Sequence, residues 1–251
     1  MAVITAITGP GGTGKTLITT QLALETYRLM CGMKRIAVIY ADNDSPGLPV
    51  VFPNIRPEMN SIGEAVSKSR ILPEDLLGTC ITDKKHENMG FWGYADGENV
   101  YTYPAVTDAK AMELFEVLEQ LVDFIFVDCV SRSDCTISRC AEKNADLVYE
   151  IYNPDIKSLV WYYAHTGKNG LMKNDEARIK CLNITDAGVF LPVDEVASKL
   201  KNVSYFLPFD EALKSEMLSG RLINGKCGKR FGGIINEMAV RVTGNRNRAA
   251  V

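Results

Sequence analysis

No stretch of this 251-residue chain approaches the roughly 18 consecutive apolar residues of a membrane-spanning helix. Its first residues, MAVITAITGPGG, carry no basic segment ahead of the apolar run, so a secretory leader is not expected. Histidine is scarce (His86 and His165), and no two cysteines form a CxxC pair. Zinc ribbons and His-rich metal carriers therefore find no ligand set. The seven cysteines (Cys31, Cys80, Cys129, Cys135, Cys140, Cys181, Cys227) are odd in number and scattered, which fits reduced thiols and a cytoplasmic protein. Cys129, Cys135 and Cys140 cluster, but not at zinc-site spacing. Repeats, linkers and low-complexity tracts are also missing. With 46% apolar and 24% charged residues, fibrous and disordered classes are excluded. A chain of this length can bury a full core without staples.

The net charge of −3 conceals a separation. Residues 221–251 hold seven basic side chains (Arg221, Lys226, Lys229, Arg230, Arg241, Arg246, Arg248) and one acid, Glu237, so this end is +6 and residues 1–220 are −9. A basic end on an acidic body suits a polyanionic surface, non-specific DNA above all; a solvated terminus is the plainer alternative.

The apolar pattern alternates between short continuous runs and helical periodicity. Residues 3–8, 35–40, 123–128, 146–154, 178–185 and 203–206 predict strands. Helices are predicted from Lys15 to a stop at Gly32, over 107–121 with Thr107 or Asp108 as cap, and over 155–166, 193–200, 209–218 and 228–242. Strands that alternate with helices predict one α/β domain over 1–251: a mostly parallel twisted sheet of about seven strands, helices on both faces. Between the aromatic pieces FWGYA and VYTY, Asp96-Gly97 predicts either a hairpin or a loop leading into a parallel strand at 99–103. Residues 166–177 are polar and predict a surface loop.

Gly9-Pro10-Gly11-Gly12-Thr13-Gly14-Lys15-Thr16 matches G-x-x-x-x-G-K-[ST] in full, between a buried strand and a helix. Such glycines let successive backbone N–H groups point into one concavity that holds phosphate oxygens, and the helix N-terminus adds its positive dipole end. Lys15 is expected on the β- and γ-phosphates and the Thr16 hydroxyl on Mg²⁺. Asp128, closing the strand FIFVD, is placed as a second Mg²⁺-facing group. Asp42 and Asp44 follow the second strand, at the carboxyl edge where open α/β sheets bind ligands.

With these residues in place the chain resembles the ParA/MinD family of P-loop ATPases, in the SIMIBI class, over nearly its whole length. GPGGTGKT stands where the family has GKGGxGKT. Asp42-Asn43-Asp44 matches its D-x-D, and Asp128 in FIFVDCVSRSD its strand-end Asp. ADLVYEIYNPDIKSL (145–159), Asn183 and LPFDEALKSEMLSGR (207–221) match later passages in order. The resemblance implies ATP or ADP held by Gly9, Gly11, Gly12, Thr13, Gly14, Lys15, Thr16, Leu17, Asn183 and Pro208. It implies Mg²⁺ at Thr16, Asp42 and Asp128, with Lys15 and Asp44 catalytic and Asp44 positioning the attacking water.

One departure stands out. Pro10 replaces the family's signature lysine, which in relatives reaches the partner's phosphates across an ATP-sandwich dimer. A variant loop of this kind is similar to those of TadZ/CpaE relatives, which place pilus machinery at cell poles. The resemblance therefore implies a slow positioning or partitioning ATPase, an ATP-dependent homodimer, and an unidentified cargo or activating protein. The alternatives are a TadZ/CpaE-like localisation ATPase or a low-turnover nucleotide-binding scaffold. A metallochaperone ATPase of the same class would need a metal-carrying Cys pair or His cluster. The last predicted helix carries Phe231, Ile234, Ile235, Met238 and Val242 at helical spacing, a face expected to pack on the sheet. The polar TGNRNRAAV after it does not suit a membrane-inserting helix.

Overall fold

The βαβ start is present: β1 (Val3–Thr8), α1 (Lys15–Leu29) and β2 (Ile36–Tyr40). The structure, a computed structural model, describes residues 1–54, 61–166, 177–188 and 190–249; for residue 166 and residues 245–249 it describes the backbone alone. Most of the predicted 166–177 loop lies outside the described residues.

β5 (Phe124–Asp128) lies between β1 and β2 and pairs in parallel with both. β6 (Leu147–Tyr152), β7 (Arg178–Asn183) and β8 (Val203–Leu207) continue the parallel sheet on the far side of β1. β4 (His86–Gly93) joins β2 in parallel, and β3 (Ile81–Asp83) closes that edge antiparallel. The order is β3-β4-β2-β5-β1-β6-β7-β8, eight strands where about seven were expected.

The extra strand comes from the middle of the chain, where both sequence readings fail. Neither a hairpin about Asp96-Gly97 nor a strand at 99–103 forms. Gly97 does turn, with φ 81°. The carboxylate of Glu98 then gathers the segment: it accepts from the Ala95 backbone N–H (2.7 Å), Ser61 Oγ (2.6 Å) and Tyr103 Oη (2.7 Å). These bonds fold residues 94–107 into a loop, with Tyr101 in solvent. The true partner of β4 precedes it, across a tight turn at Lys84–Lys85.

The central strands β1, β2, β5 and β6 are buried at every residue, as strands covered on both faces must be. Alternation along β1 assigns its sides. Val3 and Ile7 face a core built with Ile18 and Leu22 of α1 and with Phe231, Ile235, Met238 and Val242 of α10 (Lys229–Ala249). Ile4 and Ala6 face Leu114, Phe115 and Leu118 of α5 (Asp108–Leu121) and Ile137 of α6 (Thr136–Asn144). The apolar face of α10 is therefore core. The helix runs seven residues beyond the expected end at 242. Thr107 is the cap of α5, its side chain accepting from Lys110 N at 3.2 Å.

α2 (Leu48–Val51), α3 (Ile62–Ser67) and α4 (Pro73–Gly78) are too short to show a helical period and are not anticipated by the sequence. α6 is likewise unanticipated. α7 (Ile156–Thr166), α8 (Val193–Leu200) and α9 (Glu211–Leu218) fall where expected.

Beneath the carboxyl end of β1 lies a buried polar cluster. Arg178 pairs with Glu150 and, at 3.2 Å, with Glu142; Thr8 Oγ1 donates to Glu142 at 2.9 Å, and Tyr152 Oη to Glu150 at 3.1 Å. It ties β1, β6, β7 and α6 together directly below the loop that follows Thr8.

Candidate active site

The β1–α1 loop is closed by backbone approach. Gly9 has φ 136°, and a Cβ there would lie 2.2 Å from the Ile151 carbonyl oxygen of β6. Gly14, at φ 85°, caps α1, and a Cβ there would meet Asn183 Nδ2 at 2.7 Å. Only glycine fits either position. The loop is held from within by Thr13 Oγ1, which donates to the Pro10 carbonyl at 3.0 Å. Asn183 holds it from β7, Nδ2 donating to the Thr13 carbonyl at 2.8 Å.

Lys15 opens α1, and its ammonium folds back over the loop. It donates to the Gly9 and Pro10 carbonyls (3.0 and 2.9 Å) and to Ser131 Oγ (2.9 Å). Burial lowers its pKa, against the pull of Asp128. One residue on, Thr16 Oγ1 donates to Asp128 Oδ2 at 2.6 Å. Asp128 is buried at the end of β5, and burial pushes its carboxyl up to about 6, opposed by the Thr16 hydrogen bond and the Lys15 charge. A buried carboxylate whose side-chain partners among the described residues are one hydroxyl and a nearby ammonium suits a further cation. Its hard oxygen, with the Thr16 hydroxyl beside it, is a donor set of Mg²⁺ type.

The acidic loop after β2 is built differently. Asp42 Oδ1 accepts from the backbone N–H groups of Asp44 and Ser45 (2.9 and 3.1 Å), an Asx turn. Arg132 gathers the acids: it pairs with Asp44, with Asp134 at 3.2 Å and with Asp42 at 3.9 Å, and donates to Asn43 Oδ1 at 3.1 Å.

These groups border one cleft of about 680 Å³, within the range of small-molecule sites. Gly11, Gly12, Gly14, Lys15, Thr16 and Leu17 form its floor. Asp42, Asp44 and Asp128 line one end with Ser131 and Arg132; Asn183, Thr185 and Asp210 line the other. Gly9 and Thr13 shape the loop from behind. Pro208 follows β8 and immediately precedes Phe209 and Asp210, which do line the cleft.

Several side chains that hold the loop or line the cleft belong to no motif. Ser131 and Arg132 lie just past Asp128 and line the cleft, and their position after a strand-end Asp is a usable signal. Asn153 and Lys157 come from the β6–α7 junction. Asn153 Nδ2 donates to the Gly12 carbonyl (3.4 Å) and to Thr185 Oγ1 (3.3 Å), and Lys157 Nζ to the Gly11 carbonyl at 2.8 Å. No local pattern marks these two, because the loop they touch lies more than 140 residues away.

The sequence matches no protein-family model. It matches no curated protein either. The fold has close counterparts. The septum site-determining protein MinD of Pyrococcus horikoshii, complexed with Mg-ADP, superposes with a TM-score of 0.73 at 18% identity, covering 98% of this chain and 99% of that one. A ParA family ATPase from Chlorobium tepidum gives 0.74 at 13% identity, covering 95% and 98%. A putative plasmid partition protein from Borrelia burgdorferi, bound to AMPPNP, gives 0.65 at 14% identity, covering 98% and 100%. The chain has the fold of the ParA/MinD-type P-loop ATPases over 95–98% of its length.

Proposed function

We propose that the chain binds ATP and ADP with Mg²⁺ and is a slow positioning or partitioning ATPase that works as an ATP-linked dimer. The observation that carries this reading is the set of Lys15, Thr16 and Asp128 brought together against the glycine-rich loop at the start of α1. That two solved proteins of this fold hold Mg-ADP and AMPPNP supports it.

In this reading the backbone N–H groups of residues 11–16 face the phosphates. Lys15 exchanges its loop carbonyls for β- and γ-phosphate oxygens, and Thr16 and Asp128, with Asp42 nearby, hold Mg²⁺. The bound ion neutralises phosphate charge as it develops. Asp44 orients the attacking water once Arg132 releases it. Asn183 and the Pro208–Asp210 turn border the base. Slow turnover follows from Pro10, which brings no charge to the loop.

A dimer is favoured by an apolar strip on α7. Ile156, Val160 and Tyr163 are 63%, 61% and 59% exposed and spaced i, i+4, i+7, so they share one helix face beginning beside the loop. A second copy seated there would cover the terminal-phosphate end of the cleft. The cargo surface we favour is DNA, met by the basic end. Lys226, Lys229, Arg230 and Arg241 are exposed; the side chains of Arg246 and Arg248 lie outside the described residues. No helix among the described residues is long and apolar enough to cross a membrane, and we place the protein in the cytoplasm.

Size-exclusion chromatography with and without ATP–Mg²⁺ tests the reading. A shift from monomer to dimer with ATP, and not with ADP, is expected. Nucleotide binding with no change of size would replace it with the low-turnover scaffold.

A further inference from the structure

The β6–α7 junction sends two side chains to two consecutive loop carbonyls, Asn153 to Gly12 and Lys157 to Gly11. The first is a neutral amide, and a neutral donor is enough to hold a carbonyl. The second is a full positive charge on an exposed, flexible stem. It stands in the first turn of α7, where the helix dipole disfavours a cation. No acid stands in that turn to offset it, and Asp155, just ahead of it, accepts from Ser158 N at 2.7 Å. A charge kept in so unfavourable a place, for a carbonyl that does not need one, points to a more strongly charged partner.

The direction of the loop says which. Gly14 abuts Asn183, at the end of the cleft bordered by Thr185 and Asp210. Gly11 lies beside Ser131, at the end where Asp128 and Arg132 line the cleft. A Cβ there would lie 3.6 Å from Lys157 Nζ and 3.7 Å from Ser131 Oγ, and Ser131 touches Lys15 Nζ. A nucleotide whose base lies towards Asn183 brings its last phosphate to the Gly11 end. The loop residue there, Pro10, supplies neither charge nor an N–H.

We propose that Lys157 is a phosphate-binding residue that selects nucleoside triphosphate over diphosphate, its ammonium moving from the Gly11 carbonyl to the terminal phosphate. This rests on the nucleotide-binding reading above. Lys15 and Lys157 would then grip the terminal phosphate from two sides, both from one chain. Their mutual repulsion, which contributes to the lowered pKa of Lys15, is relieved when phosphate charge enters between them.

Calorimetry with ADP–Mg²⁺ and with a non-hydrolysable ATP analogue–Mg²⁺ tests this on wild type, Lys157→Gln and Lys157→Arg. In the Gln variant, analogue affinity should fall about five- to tenfold, as for one partly exposed charge-assisted bond, while ADP affinity stays within about twofold. Arg should restore most of the loss. Equal weakening of both nucleotides would overturn the proposal and leave Lys157 as a strut for the Gly11 carbonyl. Unchanged affinity for both would also overturn it. Wild-type protein that binds neither nucleotide would instead remove the nucleotide reading itself.

Discussion

Asp128 and Asp44 serve neighbouring strands of one sheet, β5 and β2, and could hardly be set up more differently. Asp128 is buried, its Oδ2 2.6 Å from Thr16 Oγ1, and its carboxyl is pushed up to about 6. Asp44 is exposed and held by Arg132, which also serves Asp42 and Asp134. The first is assembled by the fold and stays where it is. The second sits in a surface ion cluster, and exposed pairs are worth only about 0–1 kcal/mol. Binding of a polyanion can therefore rearrange the second without disturbing the first. In the proposed reading the contrast separates binding from turnover, with the buried carboxylate assigned to the cation and the caged one to the water.

Breaking the buried side should have the largest effect. Asp128→Asn should abolish the Mg²⁺ dependence of nucleotide binding, read by titrating nucleotide with and without the ion. The same change should stabilise the empty protein. The folded pKa of Asp128 lies above its ordinary value of 3.8, so the folded chain holds the proton more tightly. The associated stability is present below about pH 4 and lost as pH rises through about 6. At pH 7 the ionised group costs on the order of 2–3 kcal/mol that an amide at this position would not. Thermal melts of nucleotide-free protein should show the Asp128→Asn variant ahead of wild type by several degrees at pH 7, with the gap closing towards pH 4. A variant that melts lower at pH 7 would mean that Asp128 is not strained by burial.

The exposed side should break differently. Asp44→Ala should leave nucleotide affinity within about twofold and lower turnover roughly a hundredfold or more, the scale of a lost proton- or water-handling group. Steady-state phosphate release checks it. Unchanged turnover would sink the role of Asp44.

The smallest effect belongs to the basic end. Replacing Arg241, Arg246 and Arg248 together should reduce the slope of log affinity for DNA against log salt by about 3 × 0.9. Anisotropy titrations with ATP–Mg²⁺ decide it; binding indifferent to the replacement would turn the search towards a protein cargo.

Much of this contrast is legible in the sequence. The loop, Thr16, Asp128 and the Asp42–Asp44 pair are readable because each is tied to a local pattern: a glycine spacing or a strand end. The central strands β1, β2, β5 and β6 are readable because full burial demands nearly unbroken apolar runs, and β7 and β8 follow from their alternation with helices. What the sequence hides is non-local. Arg132 is one charge in a polar run until folding sets it against three acids. Asn153 and Lys157 acquire meaning only when β6 comes to lie beside β1. The Asp96-Gly97 turn misleads because a single buried-side carboxylate, Glu98, collects three donors and overrides a good hairpin signal.

In the proposed reading, residues 9–16 hold the phosphates of a nucleotide with Lys15 as their main cation. Calorimetric titration of wild type and Lys15→Ala with ATP–Mg²⁺ tests it most directly. Measurable binding by wild type and loss of most of it in the variant are expected, because Lys15 Nζ already folds over the Gly9 and Pro10 carbonyls at the base of the loop. A variant that binds ATP as tightly as wild type would contradict it and move the site elsewhere.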